Sequence, residues 1–240
     1  MLKNPKIIIT VLSAILLVLI TRYVFINIDA IFVSSSQIIE AEEVHTGFRV
    51  IIDPGHGGND PGKTTPGGVS EKDINLEIAM MVKMFLEAQD VFVVMTRETD
   101  VGLYSPGSSN KKVEDMKNRL VLIESAAANL AVSIHQNSFQ QESIRGAQVF
   151  YYTNSKEGKR LAETIQRRLI TGVDPTNKRE AKANDSYYLL KKTTIPLAII
   201  ECGFLTNKAE AEKLSDPYYQ EKLAWSIHLG IMQYLNQSNN

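Results

Sequence analysis

The sequence predicts a single three-layer α/β domain, in which helices flank a central, mostly parallel sheet, preceded by an N-terminal membrane segment. Short apolar runs rich in β-branched residues alternate with longer segments of helical periodicity, which is typical of a sheet covered by helices. The run 196–202 is apolar almost throughout, as expected of a strand buried on both faces. A further apolar stretch, 7–28, predicts the membrane segment.

The N-terminal stretch has two interpretations, and both stay open. Lys3 and Lys6 precede it, and Arg22 interrupts it. It can be a signal peptide over 1–22, or an uncleaved membrane helix over 7–28, which its length favours. In either case the basic flank predicts that the rest of the chain lies outside the cytoplasmic membrane. We therefore expect a signal or transmembrane anchor over 1–28, a linker over 29–47 and a folded domain over 48–236.

Composition excludes several classes of function. The formal net charge is −1, so no bulk basicity indicates a nucleic-acid partner. Cys202 is the single cysteine, which rules out an intrachain disulfide and a cysteine-rich zinc site. Any metal must therefore be held by histidine, aspartate or glutamate, and the chain has four histidines.

The predicted elements follow one another in alternation. Five short β-rich runs are predicted as strands: 48–53, 91–96, 130–135, 147–152 and 196–202. Four amphipathic segments are predicted as helices: 72–90, 113–128, 156–170 and 217–235. Ser70, with Asp73 three residues later, resembles a capping box at the start of the first of these helices.

Polar residues able to do chemistry stand at the ends of three predicted strands. His56 lies just past the first strand, His135 ends the strand 130–135, and Glu201 lies near the end of the last. The carboxyl ends of parallel strands meet at one edge of a sheet, so these groups should lie close together. Glu71 joins them if the helix that starts near it begins at the same edge.

Two histidines and one carboxylate form a typical three-ligand catalytic zinc site, in which water takes the remaining position. Glu201 could then take a proton from the attacking water and pass it to the leaving group. Each residue alone also has an ordinary structural explanation. A histidine after a strand is more often a loop or core residue, and Glu71 could simply complement a helix dipole. Glu201 is harder to explain in this way, because a charge on an apolar strand needs a partner.

Four sequence blocks make the hypothesis specific. They resemble the signature blocks of the zinc-dependent N-acetylmuramoyl-L-alanine amidases of the third amidase class, in matching order, and the resemblance runs from about Arg49 to Tyr234. The blocks are IIDPGHGGNDPG (51–62), EKDINLEIA (71–79), VSIHQNS (132–138) and IIECGFLTN (199–207). The resemblance implies Zn²⁺ held by His56, Glu71 and His135, with Glu201 as the catalytic residue.

The resemblance also implies an activity and a location. We expect hydrolysis of the amide bond between N-acetylmuramic acid and L-alanine in peptidoglycan. The N-terminal segment and the absence of an appended wall-binding repeat are similar to the branch of the family that acts on spore cortex, where the product leads to muramic δ-lactam. The expected location is the outer face of the cytoplasmic or forespore membrane, or outside the cell if the N-terminal segment is cleaved. An activator protein is a further potential partner.

Two other functions compete with this hypothesis. One is a catalytically silent module that binds or regulates the wall, although retention of all four polar groups argues against it. The other is a different exported zinc hydrolase, such as a peptidase that cuts within the stem peptide.

Two neighbouring residues also have expected roles. Asp53 could fix the loop of His56 or support a ligand, and Cys202 is expected to be inert packing on a buried strand.

Overall fold

The computed structural model describes residues 16–19, 21–22, 47–65 and 67–238. By its contacts the chain divides into an N-terminal unit, 1–44, and a second unit, 45–240. In the first unit, the described residues 16–19 and 21–22 are helical. Among the described residues, no helix has the length and apolar character needed to span a bilayer. Most of the predicted membrane segment and linker lies outside the described residues, so the anchor stays a prediction.

The second unit contains a six-stranded sheet, which confirms the predicted architecture. The strand order is β2-β1-β3-β6-β4-β5. All neighbouring strands are parallel except β4 and β6, which are antiparallel. The strands are β1 Arg49–Pro54, β2 Phe92–Met95, β3 Leu130–Asn137, β4 Gln148–Tyr151, β5 Lys182–Ala183 and β6 Leu197–Phe204. The two-residue strand β5 was not predicted from sequence, because it is too short to show a periodicity.

Helices cover both faces of this sheet. They are α1 Glu71–Glu87, α2 Lys111–Ser125, α3 Lys156–Gly172, α4 Tyr188–Lys192, α5 Lys208–Leu214 and α6 Pro217–Ser238. Successive residues of β1 show why there are three layers. Val50 and Ile52 belong to the core shared with α1, α3 and α6, whereas Ile51 belongs to the core shared with α2 and α4. Alternate side chains of a strand point to opposite faces, so a doubly apolar strand requires helices on both sides.

The start of α1 differs from its predicted capping box. Ser70 is the residue before the helix, but its side chain makes no capping hydrogen bond. The preceding loop satisfies two of the free amides of the first turn instead. The amide of Glu71 donates to the carbonyl of Lys63, and the amide of Lys72 donates to the carbonyl of Pro61. The loop thereby fixes the beginning of the helix, and with it the position of Glu71, at the carboxyl edge of the sheet.

Candidate metal centre and active site

His56 is placed by a tight connection after β1. The amide of Gly55 continues the pairing with β3 by donating to the carbonyl of Ile134. His56 then takes the left-handed backbone conformation, with φ 63°. Gly55 is required here, because a Cβ at this position would lie 2.1 Å from Cε1 of His135. A glycine directly after β1 therefore allows the ring of His135 on β3 to approach the backbone beside His56 closely.

Glu71 joins the two histidines. Its Oε1 lies 3.1 Å from Nε2 of His56 and 3.0 Å from Nδ1 of His135. The ligand atoms of the three residues all lie within 4.8 Å of one another. The other carboxylate oxygen of Glu71 accepts a hydrogen bond from the amide of Lys63 at 2.8 Å. The structure thus brings together the three residues that the sequence predicts as metal ligands.

The electrostatics of this cluster favour positive charge at its centre. Burial opposes the charged form of Glu71, but contacts with His135 and His56 hold the pKa of its carboxyl well below the usual range. Burial also opposes the charged form of His56, which for a histidine means a lower pKa. The contacts with Glu71 and Asp60 outweigh burial and raise that pKa to about 8. A site that stabilises added positive charge between two imidazoles and a carboxylate suits a divalent cation. Two imidazole nitrogens and one carboxylate oxygen are ligands that zinc prefers.

Asp60 supports His56 from the outer side. Its Oδ2 lies 3.0 Å from Nδ1 of His56, so the other ring nitrogen faces Glu71. A carboxylate behind a ligating histidine fixes the tautomer and the orientation of the ring. Asp60 was not predicted as a site residue, although a carboxylate four residues after the histidine in the same loop was the available signal.

Two buried arginines hold the carbonyl groups of the His56 loop. Arg119 donates to the carbonyls of Pro54 and His56, and Arg97 donates to those of Pro54 and Gly55. Neither arginine was predicted as a site residue from the sequence. They come from segments far from the loop in sequence, so only the fold shows that their donors converge on it.

Asp53 fixes the loop through Arg119. Its carboxylate accepts hydrogen bonds from Arg119, Ser133 and Thr96 at 2.6 to 2.7 Å. Burial alone would raise the pKa of Asp53, but the charge of Arg119 and the two hydroxyl donors lower it to about 2. Asp53 is therefore charged at neutral pH and acts on the loop indirectly, by orienting the arginine that holds the carbonyl of His56.

Glu201 stands next to the three-residue cluster. It lies on β6 directly opposite His135 on β3, and only 7% of its surface is exposed. Burial raises the pKa of its carboxyl, which favours the protonated form relative to that of an exposed glutamate. The hydroxyl of Tyr187 lies 3.3 Å from its Oε1. This environment suits a group that accepts and releases a proton.

A cavity of about 710 Å³ opens above these residues. Its floor includes the three clustered residues and Glu201, and Lys63 and Lys112 also line it. The remaining described histidine, His228, lies on α6 against the rings of Phe85 and Trp225 and does not line this cavity. Cys202 is fully buried, and burial raises the pKa of its thiol, in line with an inert packing role.

Comparison with known proteins decides the family. The profile of the N-acetylmuramoyl-L-alanine amidase family matches residues 50–233. This chain belongs to that family. It is accordingly an enzyme that hydrolyses an amide bond of peptidoglycan, and the predicted activity is confirmed.

Individual relatives agree with this assignment. The chain is 40% identical over 198 residues to the germination-specific N-acetylmuramoyl-L-alanine amidase of Bacillus subtilis, covering 81% of this chain and 83% of that one. It is 34% identical to the amidase LytC of the same organism, but it spans only 36% of that protein. Among solved structures it resembles the CwlD amidase of Clostridioides difficile, determined in complex with the GerS lipoprotein. That match has 43% identity and a TM-score of 0.78, covering 80% of this chain and all of the other.

Proposed function

We propose that this amidase uses a zinc ion held by His56, Glu71 and His135, with Glu201 as its catalytic acid and base. The observation that carries the proposal is the convergence of the three ligand atoms beside a buried carboxyl at the floor of the cavity. A bound zinc ion would polarise the substrate carbonyl and lower the pKa of a water molecule.

The protein groups supply the proton transfers. Glu201 takes a proton from the water whose oxygen attacks the lactyl carbonyl carbon. As the carbon–nitrogen bond breaks, Glu201 gives that proton to the nitrogen of L-alanine, which leaves as an amine. Burial raises the pKa of the Glu201 carboxyl, which favours its uptake of the proton from the attacking water.

The substrate we propose is the peptidoglycan of the spore cortex, where the cleaved muramic acid leads to muramic δ-lactam. The name of the Bacillus subtilis relative supports a role in germination. The Clostridioides difficile amidase, seen with a lipoprotein, supports an exported protein partner for this chain. We further propose that residues 1–28 export the domain 48–236 and tether it through the linker 29–47 to the outer face of the membrane.

Digestion of purified walls tests the reaction and its substrate. The zinc-loaded protein should release stem peptides with a free L-alanine amino terminus from cortex peptidoglycan, measured by mass spectrometry, with less release from vegetative walls. Glu201→Gln should keep zinc and lose at least a thousandfold in turnover, since the proton carrier is gone. Cuts within the stem would instead indicate a peptidase, and near-normal turnover of Glu201→Gln would exclude the role given to Glu201.

Metal analysis tests the ligand set separately. His135→Ala removes one of three ligands, so the purified variant should hold less than a tenth of the zinc of the parent protein after gel filtration. His228→Ala is the matched control, because that histidine lies outside the cavity, and it should hold zinc at one ion per chain. Stoichiometric zinc in His135→Ala would remove His135 from the ligand set.

A further inference from the structure

The two oxygens of the Glu201 carboxyl have different surroundings. Oε1 faces the hydroxyl of Tyr187 at 3.3 Å. Oε2 is buried and has no hydrogen-bond partner among the residues that the structure describes. The contact with Tyr187 is therefore the hydrogen bond that the described residues offer to this carboxyl, and it bears on the orientation of the group. Glu201 and Tyr187 both line the cavity, so their contact at Oε1 lies at the wall of the candidate active site.

Tyr187 is held so that its hydroxyl cannot easily leave Oε1. The residue directly precedes α4, and its amide donates to the side chain of Asn184. Its carbonyl accepts a hydrogen bond from the amide of Lys191. Its ring packs edge-on against Phe150 of β4, with centroids 5.6 Å apart. Backbone and ring are thus fixed from two elements, and the hydroxyl end of the ring lies against the active-site carboxyl.

A phenol suits a carboxyl that changes its protonation state. Its hydroxyl can donate to a carboxylate oxygen and can accept from a protonated one, so the contact can persist through the cycle. A lysine could only donate, so it would favour the charged carboxylate. Burial and the neighbouring Glu201 raise the pKa of the Tyr187 hydroxyl above its usual range, so the hydroxyl keeps its proton at physiological pH.

We propose that Tyr187 is the positioning residue of the active site: its contact with Oε1 fixes the orientation of the Glu201 carboxyl beside His56, Glu71 and His135. The inference rests on the proposed role of Glu201 as acid and base. The effect of Tyr187 on the rate is transmitted through the orientation of one carboxyl.

The substitution Tyr187→Phe isolates the hydroxyl, because the ring that packs on Phe150 remains. We expect kcat to fall about tenfold, which is the size expected for one lost hydrogen bond, while KM and zinc content stay within twofold. Tyr152→Phe is the matched control. Its hydroxyl also makes a 3.3 Å contact, with Asn154, and it packs on the same core layer, but it lies away from Glu201. The kcat of Tyr152→Phe should be unchanged.

A double-mutant cycle shows whether Tyr187 acts through Glu201. Glu201→Asp retains a carboxyl but draws it back from the tyrosine, so Tyr187→Phe should cost less than twofold in that background. Three outcomes would each overturn the inference. One is a full tenfold loss of kcat when Tyr187→Phe is added to Glu201→Asp, and another is an unchanged kcat in Tyr187→Phe alone. The third is an effect of Tyr187→Phe on KM or on zinc content. These outcomes leave the proposed function intact, provided that Glu201→Gln is inactive. If Glu201→Gln were active, both would fail.

Discussion

At the scale of single residues, the candidate metal site depends on an unfavourable backbone conformation at His56. A non-glycine residue with φ 63° costs roughly 1 kcal/mol or more and persists only where its surroundings fix it. Here the carbonyl of His56 accepts from Arg119, and its ring lies between Asp60 and Glu71. The conformation that is costly for the chain is the one that turns the imidazole towards Glu71.

Gly55 should be as important for zinc binding as a ligand. In Gly55→Ala the new Cβ would meet the ring of His135, so one histidine must move away. We expect zinc affinity, measured by competition with a chelator, to fall ten- to a hundredfold. Gly107→Ala is the control, because nothing lies within 4 Å of a Cβ at that position. Equal affinities in the two variants would show that the close approach of Gly55 and His135 is not needed for binding.

At the scale of secondary structure, the sequence predicted the elements that have long periodic patterns. The predicted strand over 130–135 and the predicted helix over 156–170 correspond to β3 and α3. The short helices α4 and α5 were missed, because five and seven residues show too little periodicity. Because α4 was not predicted, Tyr187 was not recognised as a site residue. Tyr187 directly precedes this helix and contacts Glu201 on β6.

The candidate site was predictable to a different degree for each kind of residue. Strand ends and the resemblance to the amidase blocks led to His56, Glu71, His135 and Glu201. The supporting groups were not found, because a hydrogen bond from Arg119 to a carbonyl in another segment leaves no pattern in one sequence. Residues that bind metal or transfer protons can be inferred from their chemistry and their position in the sequence. Residues that hold them in place can be identified only from the fold.

At the scale of the whole molecule, the site is built on the centre of the sheet. The neighbouring strands β1, β3 and β6 supply or precede His56, His135 and Glu201, and all eight residues of β6 are buried. Side chains on central strands are held in place by the packed core, so the distances between them vary little. The same arrangement links the stability of the fold to the buried charges that lie beneath the site.

The buried pair of Asp53 and Arg119 should make the whole domain sensitive to acid. The pKa of Asp53 is 3.8 when unperturbed and about 2 in the fold, so the stabilisation is complete above pH 4 and is lost as the pH falls towards 2. That shift corresponds to about 2 kcal/mol of unfolding free energy. Denaturant unfolding between pH 7 and pH 2 should therefore show a steeper decline for the parent protein than for Asp53→Asn. Asp185→Asn, which changes an exposed carboxylate, should retain the parent slope. If the unfolding free energy of Asp53→Asn declined with falling pH as steeply as that of the parent protein, groups other than Asp53 would account for the acid sensitivity.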